Sequence, residues 1–171
     1  MLIIYCGGVV MRNTTLCYIE KDGQYLMLHR VKKINDVNKD KWIGIGGGFE
    51  ADESPEECIR REAIEETGLT LGDLKLRSVI TFIIEGGVCE YMFLFKCSDF
   101  SGELIDCDEG TLEWIDKDRL YDLDLWEGDK IFLKKIEDEC DFFTLKLVYS
   151  KDGSLIEAIE NGKIVLFDAR R

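Results

Sequence analysis

Residues 47–69 read GGFEADESPEECIRREAIEETGL, and no other string limits the fold as much. Its second half carries a full set of helix signals: Ser54 is a good N-cap, Pro55 suits the first helical position, Glu57 completes a capping box, and Gly68 is a stop. Glu56 with Arg60 and Glu57 with Arg61 are four residues apart in the favourable order. The string therefore predicts a helix over residues 54–67. On it, Glu62, Glu65 and Glu66 stand at i, i+3 and i+4 and share one face. Like charges at that spacing destabilise an isolated helix by a few tenths of a kcal/mol, so helix stability alone does not account for them. Three hard oxygen donors with no cysteine or histidine among them suit Mg²⁺ or Mn²⁺.

The rest of the chain alternates strands and helices. Residues 14–20 and 24–30 read as strands joined by the turn Lys21-Asp22-Gly23, with Tyr25, Met27 and His29 on one face and Leu26 and Leu28 on the other. Residues 31–41 are polar and read as loop, followed by a short apolar run at 42–45. Two strands, 74–85 and 90–98, meet at Glu85-Gly86-Gly87-Val88, a hairpin signal. A short strand follows at 112–115. Residues 127–138 have helical periodicity, with Ile131, Phe132, Lys135 and Ile136 near one face. A final hairpin covers 142–149 and 155–160. The interleaving argues for an α+β class with a central mixed sheet flanked by helices. At 171 residues the chain fits one domain, here 11–171. Residues 1–10 are apolar, without the basic flank or cleavage site of a signal peptide. Two readings stay open for them: a non-native leader ahead of a start at Met11, since Gly7-Gly8 can be encoded by a ribosome-binding sequence, or an ordinary first strand.

Charge and cysteine content remove several function classes. The net charge of −13 disfavours nucleic-acid polymers and anionic membranes as partners. It is uneven: residues 50–66 carry a net −6, residues 99–129 a net −10, and residues 29–41 hold Arg30, Lys32, Lys33, Lys39 and Lys41 against Asp36 and Asp40. Seven cysteines without a CxxC pair, and a single histidine, His29, argue against a zinc site and for a reducing cytoplasm. No apolar run approaches the roughly 20 residues a bilayer-spanning helix needs.

The string at 47–69 resembles the signature of the Nudix (MutT-like) hydrolases, G-x5-E-x7-R-E-U-x-E-E-x-G-U with U aliphatic. Gly47, Glu53, Arg61, Glu62, Glu65, Glu66 and Gly68 occupy the seven fixed positions, and Ala63 and Leu69 the aliphatic ones. At an abundance of ~7% per residue type, a chance match is on the order of 10⁻⁸ per starting point. The resemblance implies an α/β/α sandwich and hydrolysis of a nucleoside diphosphate linked to another group, by water attack on phosphorus with divalent cations. It makes Glu62, Glu65 and Glu66 metal ligands, with the Gly46 carbonyl a further one, and Glu53 and Arg61 supports of the loop and helix.

Beyond the signature the chain is similar to the subgroup that hydrolyses oxidised purine nucleotides, the 8-oxo-dGTP diphosphatases. The strings that carry this are Asn13-Thr14-Thr15-Leu16-Cys17, Leu26-Met27-Leu28-His29-Arg30, Lys41-Trp42-Ile43-Gly44, Cys107-Asp108-Glu109 and Leu125-Trp126-Glu127-Gly128-Asp129. This similarity implies that Glu109 is an additional metal ligand or base, and that Trp126, Asp129, Phe132 and Ile43 line the base pocket. Arg30 and Lys41 become candidates for the phosphate tail. Ile43 stands where the mammalian enzyme has asparagine, and Gly48 where lysine is frequent. Each outlying residue also has a plain reading: Glu109 as a loop carboxylate, Trp126 as core, Asp129 as a first-turn carboxylate favoured by the helix dipole. The expectation is Mg²⁺-dependent (or Mn²⁺-dependent) hydrolysis of 8-oxo-dGTP to 8-oxo-dGMP and pyrophosphate, by a cytoplasmic monomer or small homo-oligomer. Another Nudix substrate (a canonical nucleotide, a nucleotide-sugar or an RNA 5′ end) and a non-catalytic nucleotide-sensing module are the alternatives.

Overall fold

Strand β3 (Gln24–His29) is apolar on both faces, and the molecule has a core on each side of it. Tyr25 and Met27 join one core with Tyr18, Leu94, Phe132, Leu147 and Tyr149. Leu26 and Leu28 join the other with Cys17, Ile45, Ile59, Ala63 and Phe95. Helix α1 (Pro55–Thr67) contributes Ile59 and Ala63 to the second core, and helix α2 (Glu127–Glu137) contributes Phe132, Leu133 and Ile136 to the first. The expected sheet between helices is thus observed. The structure, a computed structural model, describes residues 4–6, 9–32 and 36–167.

The strands are β1 (Ile4–Cys6), β2 (Val9–Lys21), β3, β4 (Trp42–Ile43), β5 (Thr70–Leu71), β6 (Leu74–Ile84), β7 (Val88–Cys97), β8 (Phe100–Ser101), β9 (Thr111–Asp116), β10 (Phe143–Tyr149), β11 (Leu155–Glu160) and β12 (Lys163–Phe167). Ten form one mixed sheet in the order β12-β11-β10-β6-β7-β2-β3-β4, with β1 on β2 and β9 on β3; β5 and β8 pair separately. β2 runs parallel to β7 and β10 parallel to β6, and the other pairs are antiparallel. β2 continues unbroken through Met11. The leader reading falls partly on residues 1–3 and 7–8, which lie outside the described residues.

One detail of pairing places the site. β3 stays with β2 only at the turn, through Glu20 with Tyr25 and Lys21 with Gln24. The stretch 45–49 lies along the rest of β2 instead: the Cys17 N–H donates to the Ile45 carbonyl at 2.6 Å, the Thr15 N–H to Gly47 at 2.8 Å, and the Phe49 N–H to the Asn13 carbonyl at 3.2 Å.

Both helices and the main strands begin and end within a few residues of their expected limits, except that β2 starts at Val9, five residues before its expected start at residue 14. Four features go beyond the expectation: strands β5, β8 and β12, and a 3₁₀ turn at Lys117–Asp122. β12 follows Asn161-Gly162, a strong hairpin dipeptide. The short β5 and β8 have no periodicity to read.

Candidate active site

Helix α1 starts as its capping residues dictate. The Ser54 side chain accepts from the Glu57 N–H at 3.2 Å, and the Glu57 carboxylate accepts from the Ser54 N–H at 2.8 Å. Two turns on, Arg61 ties the helix to the preceding loop. Its Nε and Nη2 meet the two oxygens of Glu53 at 2.6 and 2.9 Å, and Nη2 also donates to the Gly48 carbonyl at 3.0 Å. Its Nη1 donates to Glu62 at 2.8 Å and to Glu65 at 3.1 Å. Planar bidentate geometry of this kind is specific to arginine. The Arg61 guanidinium holds the Glu53 carboxyl down at about 2, and Glu53 raises the Arg61 pKa above its usual value in return.

Glycines let the loop press onto the helix. A Cβ on Gly47 would stand 2.5 Å from the Glu62 carboxylate, and one on Gly46 would stand 2.1 Å from the Thr15 carbonyl oxygen. Only glycine allows both approaches. The Gly46 N–H donates to Glu66 Oε2 at 3.1 Å. Glu66 is 5% exposed, and burial pushes its carboxyl up to about 8, with the charges of Glu109 and Glu62 adding to the effect and the Gly46 N–H and Arg30 opposing it. Burial also raises Glu62, against Arg61.

Arg30, at the end of β3, reaches the same carboxylates. It pairs with Glu109, stands 3.8 Å from Glu66, and is gripped by Asp36 through Nε at 2.7 Å and Nη2 at 2.6 Å. A cleft of about 330 Å³ opens here. Arg30, Glu62, Glu109 and Gly46–Gly48 line its acidic side; Phe82, Trp126, Asp129, Ile43, Met92, Arg12 and Glu90 complete the wall. Trp126 packs edge-on to Phe82 and Tyr149, with centroids at 5.5 and 5.1 Å, and its indole N–H donates to Asn38 Oδ1 at 2.8 Å. Asp129 is raised to about 8 by burial, with Lys41 opposing.

The structure separates some residues that the sequence groups together. Phe132 is a correction: it is fully buried in the core at 6.1 Å from Tyr18 and does not line the cleft, because α2 turns its apolar stripe inward and only Asp129, one turn earlier, reaches the wall. Lys41 also stands off the wall, paired with Asp124 at 2.5 Å and 5.5 Å from the Trp126 ring centre. Lys32 donates to the Cys107 carbonyl at 2.6 Å, and Lys33 lies outside the described residues. The Glu65 side chain is 58% exposed and, among the described residues, pairs with Arg61. Among the described residues, no three acidic, His or Cys side chains converge on one metal-sized point; Arg30 and Arg61 gather the carboxylates instead.

Asp36, Asn38, Arg12, Glu90, Phe82 and Met92 were not anticipated. Arg12 and Glu90 are direct partners in the β2–β7 register, with a 3.7 Å ion pair. That adjacency depends on strand pairing and has no local signal.

With this geometry in view, the chain's likenesses are informative. The NUDIX domain model matches residues 10–136. The chain is 31% identical over 124 residues to the uncharacterized Nudix hydrolase YvcI of Bacillus subtilis, covering 70% of this chain and 75% of that one. It is 34% identical over 117 residues to the oxidized purine nucleoside triphosphate hydrolase of Danio rerio, covering 67% and 72%. It is 31% identical over 121 residues to the GDP-mannose pyrophosphatase of Pectobacterium atrosepticum, covering 63% and 61%. The crystal structure of the mutator MutT protein from Bacillus halodurans superposes with a TM-score of 0.78 at 29% identity, over 89% of this chain and 99% of that one.

The chain belongs to the NUDIX family and is a Nudix hydrolase. Members act on small-molecule nucleotides and generally use divalent metal ions. The donor set here fits such an ion: Glu62, Glu66 and Glu109 are all-oxygen donors, and burial raises Glu62 and Glu66 even though Arg61 and Arg30 oppose it. No helix among the described residues is long and apolar enough to cross a membrane.

Proposed function

We propose that this chain hydrolyses purine nucleoside triphosphates to the monophosphate and pyrophosphate, with 8-oxo-dGTP as its preferred substrate and Mg²⁺ (or Mn²⁺) as its cofactor. The observation that carries the reading is one cleft that joins an acidic, glycine-backed wall to a tryptophan and a buried aspartate. Glu62, Glu66 and Glu109 would hold the cation with the Gly46 carbonyl, and Glu65 would contribute from the rim. A bound cation there would neutralise phosphate charge and lower the pKa of a water. Arg30 faces the same carboxylates and is placed to bind the phosphate chain once they are neutralised. Trp126 offers a surface for the base, and the protonated Asp129 carboxyl both donates and accepts hydrogen bonds, as a purine edge requires. The reaction adds water across one P–O–P anhydride, so it needs no other co-reactant. A cytoplasmic location is part of this reading.

The likeness to a GDP-mannose pyrophosphatase, together with Ile43 and Gly48 in place of the subgroup's usual residues, favours nucleotide-sugars as a second reading. A panel of kcat/KM values for 8-oxo-dGTP, dGTP, GDP-mannose, ADP-ribose and 5′-triphosphate RNA separates them. The expected order has 8-oxo-dGTP first; GDP-mannose first would replace the proposal. Glu62→Gln and Glu66→Gln should each lower kcat by roughly 10²–10⁴ with little change in Tm. Unchanged kcat in both would remove these carboxylates from the chemistry, and a wild-type protein that binds nucleotide without turnover would make it a sensor.

A further inference from the structure

Loop residues 36–38 touch both sides of the cleft. Asp36 holds Arg30 at two points, leaving the third guanidinium nitrogen toward Glu109 and Glu66. Two residues on, Asn38 Oδ1 accepts the Trp126 indole N–H at 2.8 Å. The Asn38 backbone N–H donates to Asp36 Oδ1 at 3.0 Å, so the two grips are tied together. Arg30, Asp36, Asn38 and Trp126 all line the cleft. Guanidinium and indole are donor-only groups, and Asp36 and Asn38, two residues apart, supply an acceptor to each.

We propose that Asp36 and Asn38 are positioning residues that fix the spacing between the phosphate-binding and base-binding sides of the cleft. The proposal rests on the hydrolase reading above. The two grips carry different duties. Asp36 takes up part of the Arg30 charge, and so limits how strongly that arginine competes for Glu66 and Glu109 with a divalent cation. Asn38 sets the rotation of the Trp126 ring by its hydrogen bond to the indole N–H; the edges of Phe82 and Tyr149 and the Lys41 ammonium, 5.5 Å from the ring centre, also meet the ring but make no hydrogen bond to it.

The test uses the whole chain, Mn²⁺ as the metal probe and 8-oxo-dGTP as the nucleotide. Asn38→Leu should raise KM about tenfold, the scale of one lost hydrogen bond, with kcat and Mn²⁺ binding unmoved. It should also shift tryptophan emission, a shift that disappears in a Trp126→Phe background. Asn38→Asp, which keeps the acceptor, should restore most of the KM. Asp36→Asn should instead weaken Mn²⁺ binding several-fold, measured by electron paramagnetic resonance, and lower kcat about tenfold. The double variant should show both defects together, the KM rise of one and the kcat and Mn²⁺ losses of the other. A rise in KM with a fall in kcat in both single variants, with Mn²⁺ binding and emission unmoved, would overturn the proposal. If the wild type fails to hydrolyse the nucleotide, the hydrolase reading fails; the Mn²⁺ and emission measurements still decide whether the two grips have these separate duties.

Discussion

The acidic and aromatic sides of the cleft are held in different ways. On the acidic side, Glu53, Glu62, Glu65, Glu66 and Glu109 each have an arginine or backbone partner, and the loop before α1 is set by backbone bonds to β2. On the aromatic side, Arg12 Nε and Thr14 Oγ1 are buried without a hydrogen-bond partner among the described residues, and Glu90 is raised by burial despite Arg12. A buried polar atom without a partner costs on the order of 1–3 kcal/mol, so one side is internally satisfied while the other retains unused bonding capacity. The first suits a reaction common to a family, which needs fixed geometry. The second suits recognition, where the ligand supplies the missing partners.

The most damaging way to break this contrast is at Gly47. A methyl group there would meet first the far end of the Glu62 side chain, so the fold can survive while the carboxylate is displaced. Gly47→Ala is expected to lower kcat about 100-fold, with Tm within a few degrees of wild type. An equally large loss of Tm would show that the glycine serves folding and not the site. The matching change on the other side is milder. Trp126→Ala should raise KM for purine substrates about tenfold or more, the value of one base–aromatic stack, with kcat largely kept. A kcat loss as large as that of Gly47→Ala would show that the two sides are not functionally separate.

The same contrast explains how much could be read from the sequence. The acidic wall comes mostly from residues 46–66, a contiguous stretch in which capping, helical spacing and glycine positions act over a few residues. Its helix follows from that spacing, but the arginine partners do not: Glu57 is taken by the Ser54 N–H, Arg61 turns to Glu53, and Arg60 donates to the Leu71 and Gly72 carbonyls instead of pairing with Glu56. Arg30 and Glu109 join it from outside. The aromatic wall is assembled from β2, β6, β7, a loop and α2, so the Arg12–Glu90 pair exists only once β2 lies parallel to β7 in this register. The resemblance puts Phe132 in the base pocket by analogy with another aromatic, whereas its own helical spacing groups it with Ile131 and Ile136, and the structure buries it in the core with Ile136. Asp36 and Asn38 sit in a polar loop that has no periodicity at all.

The last expected effect leaves turnover aside and concerns the stability cost of a recognition wall. Burial raises the Asp129 carboxyl from its ordinary 3.8 to about 8. Between about pH 4 and pH 8 the folded chain therefore keeps a proton that the unfolded chain has released. Stability from this group is largest at the acid end of that window, falls as pH rises, and levels off above pH 8. Asparagine has no such titration. The Tm of wild type minus that of Asp129→Asn, measured with EDTA present, should therefore decline from pH 5 to pH 8.5. Three pH units at about 1.4 kcal/mol each, taken at roughly 2–4 °C per kcal/mol for a chain of this size, give an expected drop on the order of 10 °C. A flat difference would mean that Asp129 is ionised in the folded chain at neutral pH, and it could then only accept hydrogen bonds from a base.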